Sequence, residues 1–138
     1  MPTAAIARPL PNAQEPLYRP YIQGLQEHKL MVQRCSSCGH WQWPPREFCF
    51  VCHRPALEWA EIGQQGSIYT YTVCYRAFHP WFKEHLPYGI VDADLGQGIR
   101  LLAPYFDPDV ERLECGMIVR AAFDETDGMG TALRWTKS

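Results

Sequence analysis

Two short cysteine motifs constrain the fold of this chain more than any other feature of its sequence. Cys35 and Cys38 form one CxxC pair, and Cys49 and Cys52 form a second, with ten residues between the pairs. A CxxC on a tight turn brings two sulfurs to one ion, and two such turns facing each other complete a tetrahedral thiolate site. Such a site lacks the open coordination position that catalysis by a metal requires. The spacing therefore predicts a rubredoxin-like zinc ribbon that holds a structural Zn²⁺.

The residues beside these cysteines leave some alternatives open. Gly39 follows the first pair, where a knuckle often needs a positive φ, whereas His53 follows the second pair and departs from that pattern. His40 and His53 are interpreted as bystanders, because the sulfurs alone complete a site. Two disulfides, or a chance pairing of cysteines, are the competing explanations, and iron would suit the same thiolates as zinc.

The composition favours a folded domain in the cytoplasm. The chain has 138 residues, of which 46% are hydrophobic, enough for a packed core in one ordinary domain or two very small ones. The opening segment MPTAAIARPLPNAQEP lacks the apolar run of a signal peptide, and no stretch approaches a membrane span. A cytoplasmic location is therefore expected, and there paired cysteines favour metal over disulfide.

The order of the sequence patterns predicts a mainly β protein. Leu17, Tyr21 and Leu25 recur at helical spacing and predict a short N-terminal helix that leads into the ribbon. Beyond the ribbon the pattern alternates with period two, and the predicted strands are 66–75, 88–95, 99–106, 117–123 and 131–135. Five strands with a long first connection suit an OB-fold barrel. The expected division is a flexible N-terminal arm at 1–16, a helix plus zinc ribbon at 17–57 and the OB-fold barrel at 58–138.

The charge distribution argues against nucleic acid as the ligand. Residues 1–57 carry six Lys or Arg and three Asp or Glu, whereas residues 58–138 carry seven and twelve, so the barrel half is formally −5. Tyr69, Tyr71 and Tyr75 would suit base stacking, but binding of single strands also needs a basic groove. An acidic surface would instead repel a phosphate backbone.

Several segments together carry a family resemblance. In chain order they are RCSSCG, WPPREFCFVC, Trp59 and Gly66 at the entry to the barrel, LPYGIVDADLGQGIRL and LECGMIVRAAF. The chain resembles the family of small zinc-ribbon and OB-fold proteins that accompany acyl-CoA enzymes, long catalogued as a domain of unknown function. The resemblance implies that a large partner performs the chemistry, while the small protein supplies packing surface and part of the CoA or acyl channel. It also implies a barrel without catalytic residues of its own.

The chain's own residues agree with a non-catalytic role. Cys74 lies inside a predicted strand and Cys115 beside a glycine, and both are interpreted as buried structural thiols rather than nucleophiles. His79 and His85 lie in a predicted loop and suit a surface or interface better than general-base duty. The sequence contains no Ser/His/Asp set, phosphate loop or paired-acid arrangement. No catalytic residue is therefore assigned.

Aromatic residues in loops are the candidates for partner contact. Phe78, Trp81 and Phe82 fall in the longest loop of the predicted barrel, where the core has no room for all of them. Large aromatic residues at such positions are typical interface anchors. The alternative is a loop folded over the end of the barrel. The expected contacts with a partner or with acyl-CoA are Trp41, Trp43, Arg46, Phe78, His79, Trp81 and Phe82.

The resulting hypothesis is a non-catalytic accessory subunit of a thiolase-type acyl-CoA enzyme complex, in which the partner carries out acyl-CoA thiolysis or acyl transfer. Zn²⁺ is the expected metal, CoA or acyl-CoA the expected shared ligand, and a thiolase-like large subunit the expected partner in a hetero-oligomer. Arg34, Arg46 and Arg54 offer positive charge to the phosphates of CoA. The alternatives are an accessory subunit of an acyl-CoA hydratase or aldolase, and a stand-alone acyl-CoA or nucleic-acid binding module.

Overall fold

A short helix, a zinc-ribbon sheet and a barrel follow one another along the chain. The computed structural model describes residues 6–126 and 130–138. Residues 1–5 of the predicted arm, and residues 127–129 between the last two predicted strands, lie outside the described residues. The elements are α1 (Arg19–Gln26), β1 (Leu30–Cys35), β2 (Trp41–Gln42), β3 (Leu57–Ile62), β4 (Gln65–Cys74), β5 (Tyr88–Gly96), β6 (Ile99–Tyr105), β7 (Ile118–Thr126) and β8 (Gly130–Lys137), with short 3₁₀ turns at Pro80–His85 and Val110–Arg112. The prediction of a mainly β protein with one short helix is confirmed.

Helix α1 packs closely against the strand that follows it. A proline lies in its first turn, where the missing N–H costs no intrahelical hydrogen bond. Tyr21 and Leu25 are buried, as their predicted apolar spacing requires. A Cβ atom added at Gly24 would lie 2.5 Å from the Cγ of Met31, so only glycine permits this close approach of α1 to β1.

The ribbon is a small sheet with the strand order β2-β1-β3. β1 pairs with β3 along its whole length, from Leu30 opposite Ile62 to Cys35 opposite Leu57. β3 completes the ribbon sheet before the chain enters the barrel. The predicted boundary between ribbon and barrel, at residues 57 and 58, stays a prediction.

The remaining strands close into a barrel with the order β4-β5-β6-β8-β7. All neighbours are antiparallel except β6 and β8, which are parallel. Val91, Tyr105, Val119 and Trp135 are completely buried inside it, and the indole N–H of Trp135 donates to the carbonyl of Leu101 at 3.1 Å. This closed mixed barrel of five strands confirms the predicted OB-fold.

Strand β4 has two neighbours only at its beginning. It pairs with β7 over Gln65–Ser67, whereas its pairing with β5 runs from Ser67 to Cys74. Ile68 makes the last backbone bonds on the β7 side, with Gly116 and Met117 at 2.8 Å. Among the described residues, β4 beyond Ile68 therefore has a strand partner on one side only.

The two-faced alternation predicted for β4 is only partly present. A β-bulge interrupts its register with β5 between Ile68 and Thr70. Tyr69, Thr70, Tyr71 and Thr72 are all exposed, although alternation would have buried every second one. The bulge and the open edge explain the difference, since neither is visible in a period-two pattern.

The ribbon and the barrel share one hydrophobic core and a set of polar links. The buried cluster runs from Tyr21, Leu25 and Val32 to the barrel interior. Gln64 donates through its side-chain amide to the carbonyl of His28 at 2.7 Å, and the Nε2 of His28 lies 2.7 Å from Glu125. Within the described ranges, none of the helical segments has the length and apolar character that a membrane crossing needs.

Candidate functional site

The structure brings the four predicted metal ligands together. The sulfurs of Cys35, Cys38, Cys49 and Cys52 all lie within 4.8 Å of one another, and two of the separations are 3.6 Å. A disulfide would require about 2.05 Å between two sulfurs. Tetrahedral zinc with bonds of about 2.3 Å places its sulfurs about 3.8 Å apart. The arrangement therefore fits a metal tetrahedron and does not fit the disulfide alternative. It is also the one cluster of three or more His, Cys, Asp or Glu groups with this geometry among the residues that the structure describes.

The two knuckles have the same backbone geometry despite their different sequences. The N–H of Gly39 donates to the carbonyl of Cys35 at 2.8 Å, and the N–H of His53 donates to the carbonyl of Cys49 at 3.0 Å. Gly39 has a φ of 78° and His53 a φ of 62°. Histidine thus occupies the glycine position of the second knuckle, and it is among the non-glycine residues that tolerate positive φ best.

Backbone N–H groups prepare the first cysteine of each pair for ligation. The N–H of Cys38 points to the sulfur of Cys35 at 3.5 Å, and this bond has the largest effect of several hydrogen bonds that together lower the pKa of Cys35 to about 6. The N–H of Cys52 likewise lowers the pKa of Cys49. A lowered pKa favours the thiolate, which is the form that binds metal. A bound Zn²⁺ would join the two knuckles into one rigid unit.

Two buried glutamines fix the loop between the cysteine pairs. Gln33 donates to the carbonyl of Arg46 at 2.9 Å and accepts from its N–H at 2.8 Å. Gln42 donates to the carbonyl of Phe48 at 3.1 Å and accepts from the N–H of Phe50 at 2.9 Å. Each side-chain amide therefore replaces a strand partner for the loop backbone. This loop is held by hydrogen bonds on one side and by the cysteines on the other.

Trp41 and Trp43, which the sequence predicts as contacts with a partner or acyl-CoA, are largely covered by other parts of the chain. Trp43 packs against Tyr21 with a centroid distance of 4.8 Å and meets Tyr18 edge-on at 6.1 Å. The guanidinium of Arg34 covers Trp41 at 5.1 Å. Both tryptophans are half-buried, because the helix and the ribbon strand supply partners that the loop sequence does not reveal. A contact with acyl-CoA or a partner stays a prediction for both.

The ribbon exposes three apolar residues that were not predicted as part of a site. Phe48 is 53% exposed, Phe50 51% and Val51 58%. They adjoin or lie between the ligands Cys49 and Cys52, where the metal knuckle dictates the backbone and leaves little interior for side chains. The segment FCFVC was the available signal, since apolar residues inside a CxxC have no core to enter.

The loop between β4 and β5 separates its aromatic residues into two groups. Phe78 is 83% exposed. Trp81 instead stacks on His85 at 3.9 Å, and Phe82 stacks on Tyr88 at 4.6 Å. Trp81 and Phe82 are half-buried over the end of the barrel, as the closing-loop alternative describes, whereas Phe78 points into solvent.

Arg8 clamps this aromatic cluster from the N-terminal segment. Its guanidinium lies 4.8 Å from the ring of Trp81 and 5.3 Å from that of Phe106. It also pairs with Asp124 at 2.9 Å, and its side chain is only 9% exposed. A guanidinium between two rings and a carboxylate is held by cation–π attraction and charge together. Residues around Arg8 therefore cover part of the barrel surface.

The two histidines of the loop have structural partners. The Nδ1 of His79 accepts from the N–H of Trp81 at 3.1 Å and so caps the 3₁₀ turn. The Nδ1 of His85 lies 3.0 Å from the carbonyl of Trp81. These hydrogen bonds stabilise the conformation of the loop, and they give each histidine side chain a structural role. Their contact with a partner stays a prediction.

The two remaining cysteines differ from each other. Cys74 is half-buried at the end of β4. Cys115 is exposed, so the expectation of a buried thiol is wrong there. It lies in a turn closed by the N–H of Met117 and the carbonyl of Glu114 at 3.2 Å, and that turn faces solvent.

Three cavities lined by described residues differ in size and in chemical character. An apolar cavity of about 200 Å³ lies between Arg8, Tyr21, Phe82 and Leu102. Ligand pockets usually enclose about 300–1,000 Å³. Two larger grooves, of about 380 and 460 Å³, are each lined by more carboxylates than basic groups, with Glu111 in both and Arg112 in the larger one. Carboxylates would repel the phosphates of CoA.

Comparisons with known proteins agree with this architecture. A family model described as the ChsH2 rubredoxin-like zinc ribbon domain matches residues 23–58, and one described as the ChsH2 C-terminal OB-fold domain matches residues 59–124. A DUF35 domain-containing scaffold protein of Methanocaldococcus jannaschii is 32% identical over 112 residues, which cover 77% of this chain and 79% of that protein. A probable enoyl-CoA hydratase alpha subunit of Thermomonospora curvata is 27% identical over 107 residues, and the match covers 78% of this chain but only 33% of that relative.

Solved structures give the same result for the fold. The structure titled "Ltp2-ChsH2(DUF35) aldolase" superposes with a TM-score of 0.79 at 26% identity, covering 94% of this chain and 98% of that one. A DUF35 protein of unknown function from Sulfolobus solfataricus superposes with a TM-score of 0.62 at 20% identity, covering 93% and 90%. The second likeness supports the fold alone.

Proposed function

The chain belongs to the ChsH2 family of zinc-ribbon and OB-fold proteins, also named DUF35, and we propose that it is a non-catalytic accessory subunit of an acyl-CoA enzyme complex. Two relatives support a role of this kind, since one is named a subunit of an enoyl-CoA hydratase and one is part of an aldolase assembly. Homologues named scaffold proteins support it as well. The large partner would carry out the reaction, and this chain would supply surface and part of the channel.

One observation carries the proposal, namely the position of Phe78. The other aromatic side chains of its loop are fixed by Arg8, Phe106 and the barrel end. The loop is therefore ordered, and it presents a side chain that is 83% exposed and gains nothing within the chain itself. Exposed aromatic anchors on an ordered support are typical centres of protein interfaces.

The partner that we propose first is a thiolase-like large subunit in a hetero-oligomer, as the family resemblance implies. A second candidate is an acyl-CoA hydratase or aldolase, and the similarity to a hydratase subunit and to an aldolase structure favours it. The two candidates predict different reactions for the purified complex. Thiolysis or acyl transfer would identify the first, and hydration or retro-aldol cleavage, which consumes no CoA thiol, the second.

CoA or acyl-CoA is proposed as a ligand shared with the partner. Arg34, Arg46 and Arg54 are exposed and carry charge suited to CoA phosphates, while the apolar cavity near Arg8 is too small for the whole cofactor. A channel completed by the partner would resolve that mismatch. The isolated chain should accordingly show no turnover of acyl-CoA, and Cys74→Ala and Cys115→Ala should leave the activity of the complex unchanged.

Co-purification with the tagged chain, followed by assays of all four reactions, tests the function. Phe78→Ser should weaken the purified complex about 30-fold, because a buried aromatic anchor contributes about 2 kcal/mol or more. Ile118→Ser, at another exposed apolar position, is the matched control and should have little effect. The proposal fails if no acyl-CoA enzyme co-purifies, or if Phe78→Ser lowers the melting temperature and leaves affinity intact.

A further inference from the structure

We propose that the tip of the second zinc knuckle, formed by Phe48, Phe50 and Val51, is a second docking surface for the partner. The chemistry of the tip fits an apolar pocket rimmed by carboxylates on that partner. The inference rests on the proposed function, since the occupant is the same large subunit, but it concerns the ribbon rather than the loop that carries Phe78.

The apolar character of the tip is the first support. All three side chains are more than half exposed. A phenylalanine can bury about 150–250 Å² when it enters an interface, so each of the two rings still has roughly half of that area available. They are neighbours along one short turn, so the exposed area is concentrated rather than scattered. Concentrated apolar surface on a small protein marks an interaction site more often than scattered residues do.

The rigidity of the tip is the second support. The buried amide of Gln42 bonds to the backbone of both Phe48 and Phe50, at 3.1 and 2.9 Å. The N–H of Val51 points to the sulfur of Cys49 at 3.4 Å. The backbone of the tip is thus ordered before any partner arrives. Binding would lose little conformational entropy, which makes the exposed rings effective anchors.

The charge around the tip identifies the chemistry of its occupant. The guanidinium of Arg46 lies 5.9 Å from the ring of Phe50, and Arg54 donates to the hydroxyl of Ser37 on the facing knuckle at 3.0 Å. Neither arginine, nor Arg34, forms a salt bridge with any of the residues that the structure describes. Residues 34–54 carry three arginines against a single acid, Glu47, and a zinc tetrathiolate would contribute a formal −2, so the metal-loaded segment is neutral overall before histidines, with the arginines exposed at its surface. An apolar centre with a basic rim is complementary to an apolar pocket with an acidic rim.

Photo-crosslinking tests the surface in the full chain. Two variants carry a photoreactive phenylalanine analogue, one at position 50 and the other at position 78. Each variant is expressed in the protein's native host, and the analogue is activated by light in those cells. The crosslinked peptides are then identified by mass spectrometry. We expect both positions to crosslink to one large subunit, with the peptide from position 50 containing apolar residues flanked by Asp or Glu.

Each other outcome decides between the claims. A crosslink from position 78 alone overturns the ribbon surface and leaves the proposed function standing. Crosslinks to two different proteins overturn the assignment of one occupant. The absence of a crosslink at both positions overturns both proposals. A crosslink from position 50 alone supports the ribbon surface and shows that the loop with Phe78 is not an anchor.

Affinity measurements on the purified complex give an independent test. Phe50→Ser should weaken binding at least tenfold, whereas Ile118→Ser, a similarly exposed apolar position on the barrel, should change it less than twofold. Arg46→Glu should weaken binding and flatten its dependence on salt, because screening acts on the charges that the mutation removes. Zinc content and melting temperature should match the wild type in all variants. Unchanged affinity for Phe50→Ser would refute the inference.

Discussion

At the scale of single residues, His53 shows that the second knuckle is under conformational strain. Its φ is 62°, and the equivalent residue of the first knuckle, Gly39, has a φ of 78°. Left-handed backbone costs an L-residue about 1–2 kcal/mol, and glycine loses about 0.5–1 kcal/mol more backbone entropy on folding. The difference favours glycine slightly at position 53.

His53→Gly should therefore stabilise the zinc-bound protein by about 0.5 kcal/mol. Chemical denaturation of the metal-loaded protein measures the change. Gly39→Ala is the reverse control and should destabilise the protein. Its added Cβ meets only the end of the Arg34 side chain at 3.9 Å, so the cost there is conformational rather than steric.

Cys49→Ser should remove the metal and unfold the ribbon. Binding of a structural zinc contributes about 10–16 kcal/mol, and most of that free energy stabilises the fold around it. The wild type should contain one equivalent of metal per chain, and the variant almost none by elemental analysis. Cys115→Ser is the matched control, since that thiol is exposed in a turn outside the cluster. A wild type with less than half an equivalent in its reduced state would contradict the assignment.

At the scale of elements, the loop between β4 and β5 combines a packed part and a free part. The ring of Trp81 has four neighbours in contact, which are Arg8, Phe82, His85 and Phe106. Among the described residues, the ring of Phe78 does not pair with any other aromatic ring. Substitutions at position 81 should therefore change the stability of the chain, whereas substitutions at position 78 should change its affinity for the proposed partner.

Trp81→Ala should lower the free energy of unfolding by about 1–3 kcal/mol, less than the loss for a fully buried tryptophan. Phe78→Ala should change it by less than about 0.5 kcal/mol, as surface substitutions usually do. Thermal and denaturant unfolding of the isolated chain measure both. Equal stability of the two variants would mean that the packing around Trp81 contributes nothing.

The elements themselves were predictable where local patterns determine them. The spacing of the cysteines predicted the ribbon because ligand geometry leaves few alternatives, and alternation predicted the barrel strands. The clamp by Arg8 was not predictable, because it depends on Asp124 and on rings far along the chain. The burial of Trp43 depends on the helix in the same way. The exposed tip at Phe50 was readable from FCFVC, but only with the insight that a metal knuckle has no interior.

At the scale of the whole molecule, ribbon and barrel depend on each other unequally. The shared core reaches from α1 and β1 into the barrel, whose interior residues Val91, Tyr105 and Trp135 have no exposure at all. The ribbon tip has no comparable core and relies on the metal and on Gln42. Loss of the metal should therefore affect the two parts to different degrees.

Chelation of the metal should loosen the ribbon and leave the barrel folded. Hydrogen exchange measured before and after addition of a chelator should show faster exchange over residues 35–54, with β5 and β6 still protected. The melting temperature of the remaining fold should fall, because α1 and β1 contribute to the shared core. Loss of protection throughout the chain would show that the barrel cannot fold without the ribbon.

The open side of β4 affects how the protein behaves when it is produced alone. From Tyr69 to Cys74 the sequence is YTYTVC, with no charge and no proline to discourage another strand from pairing there. Natural proteins usually protect such edges with lysine, proline or a cover. The isolated chain should therefore aggregate slowly at high concentration, and co-expression with the proposed partner, or Thr72→Lys on the exposed edge, should keep it in solution.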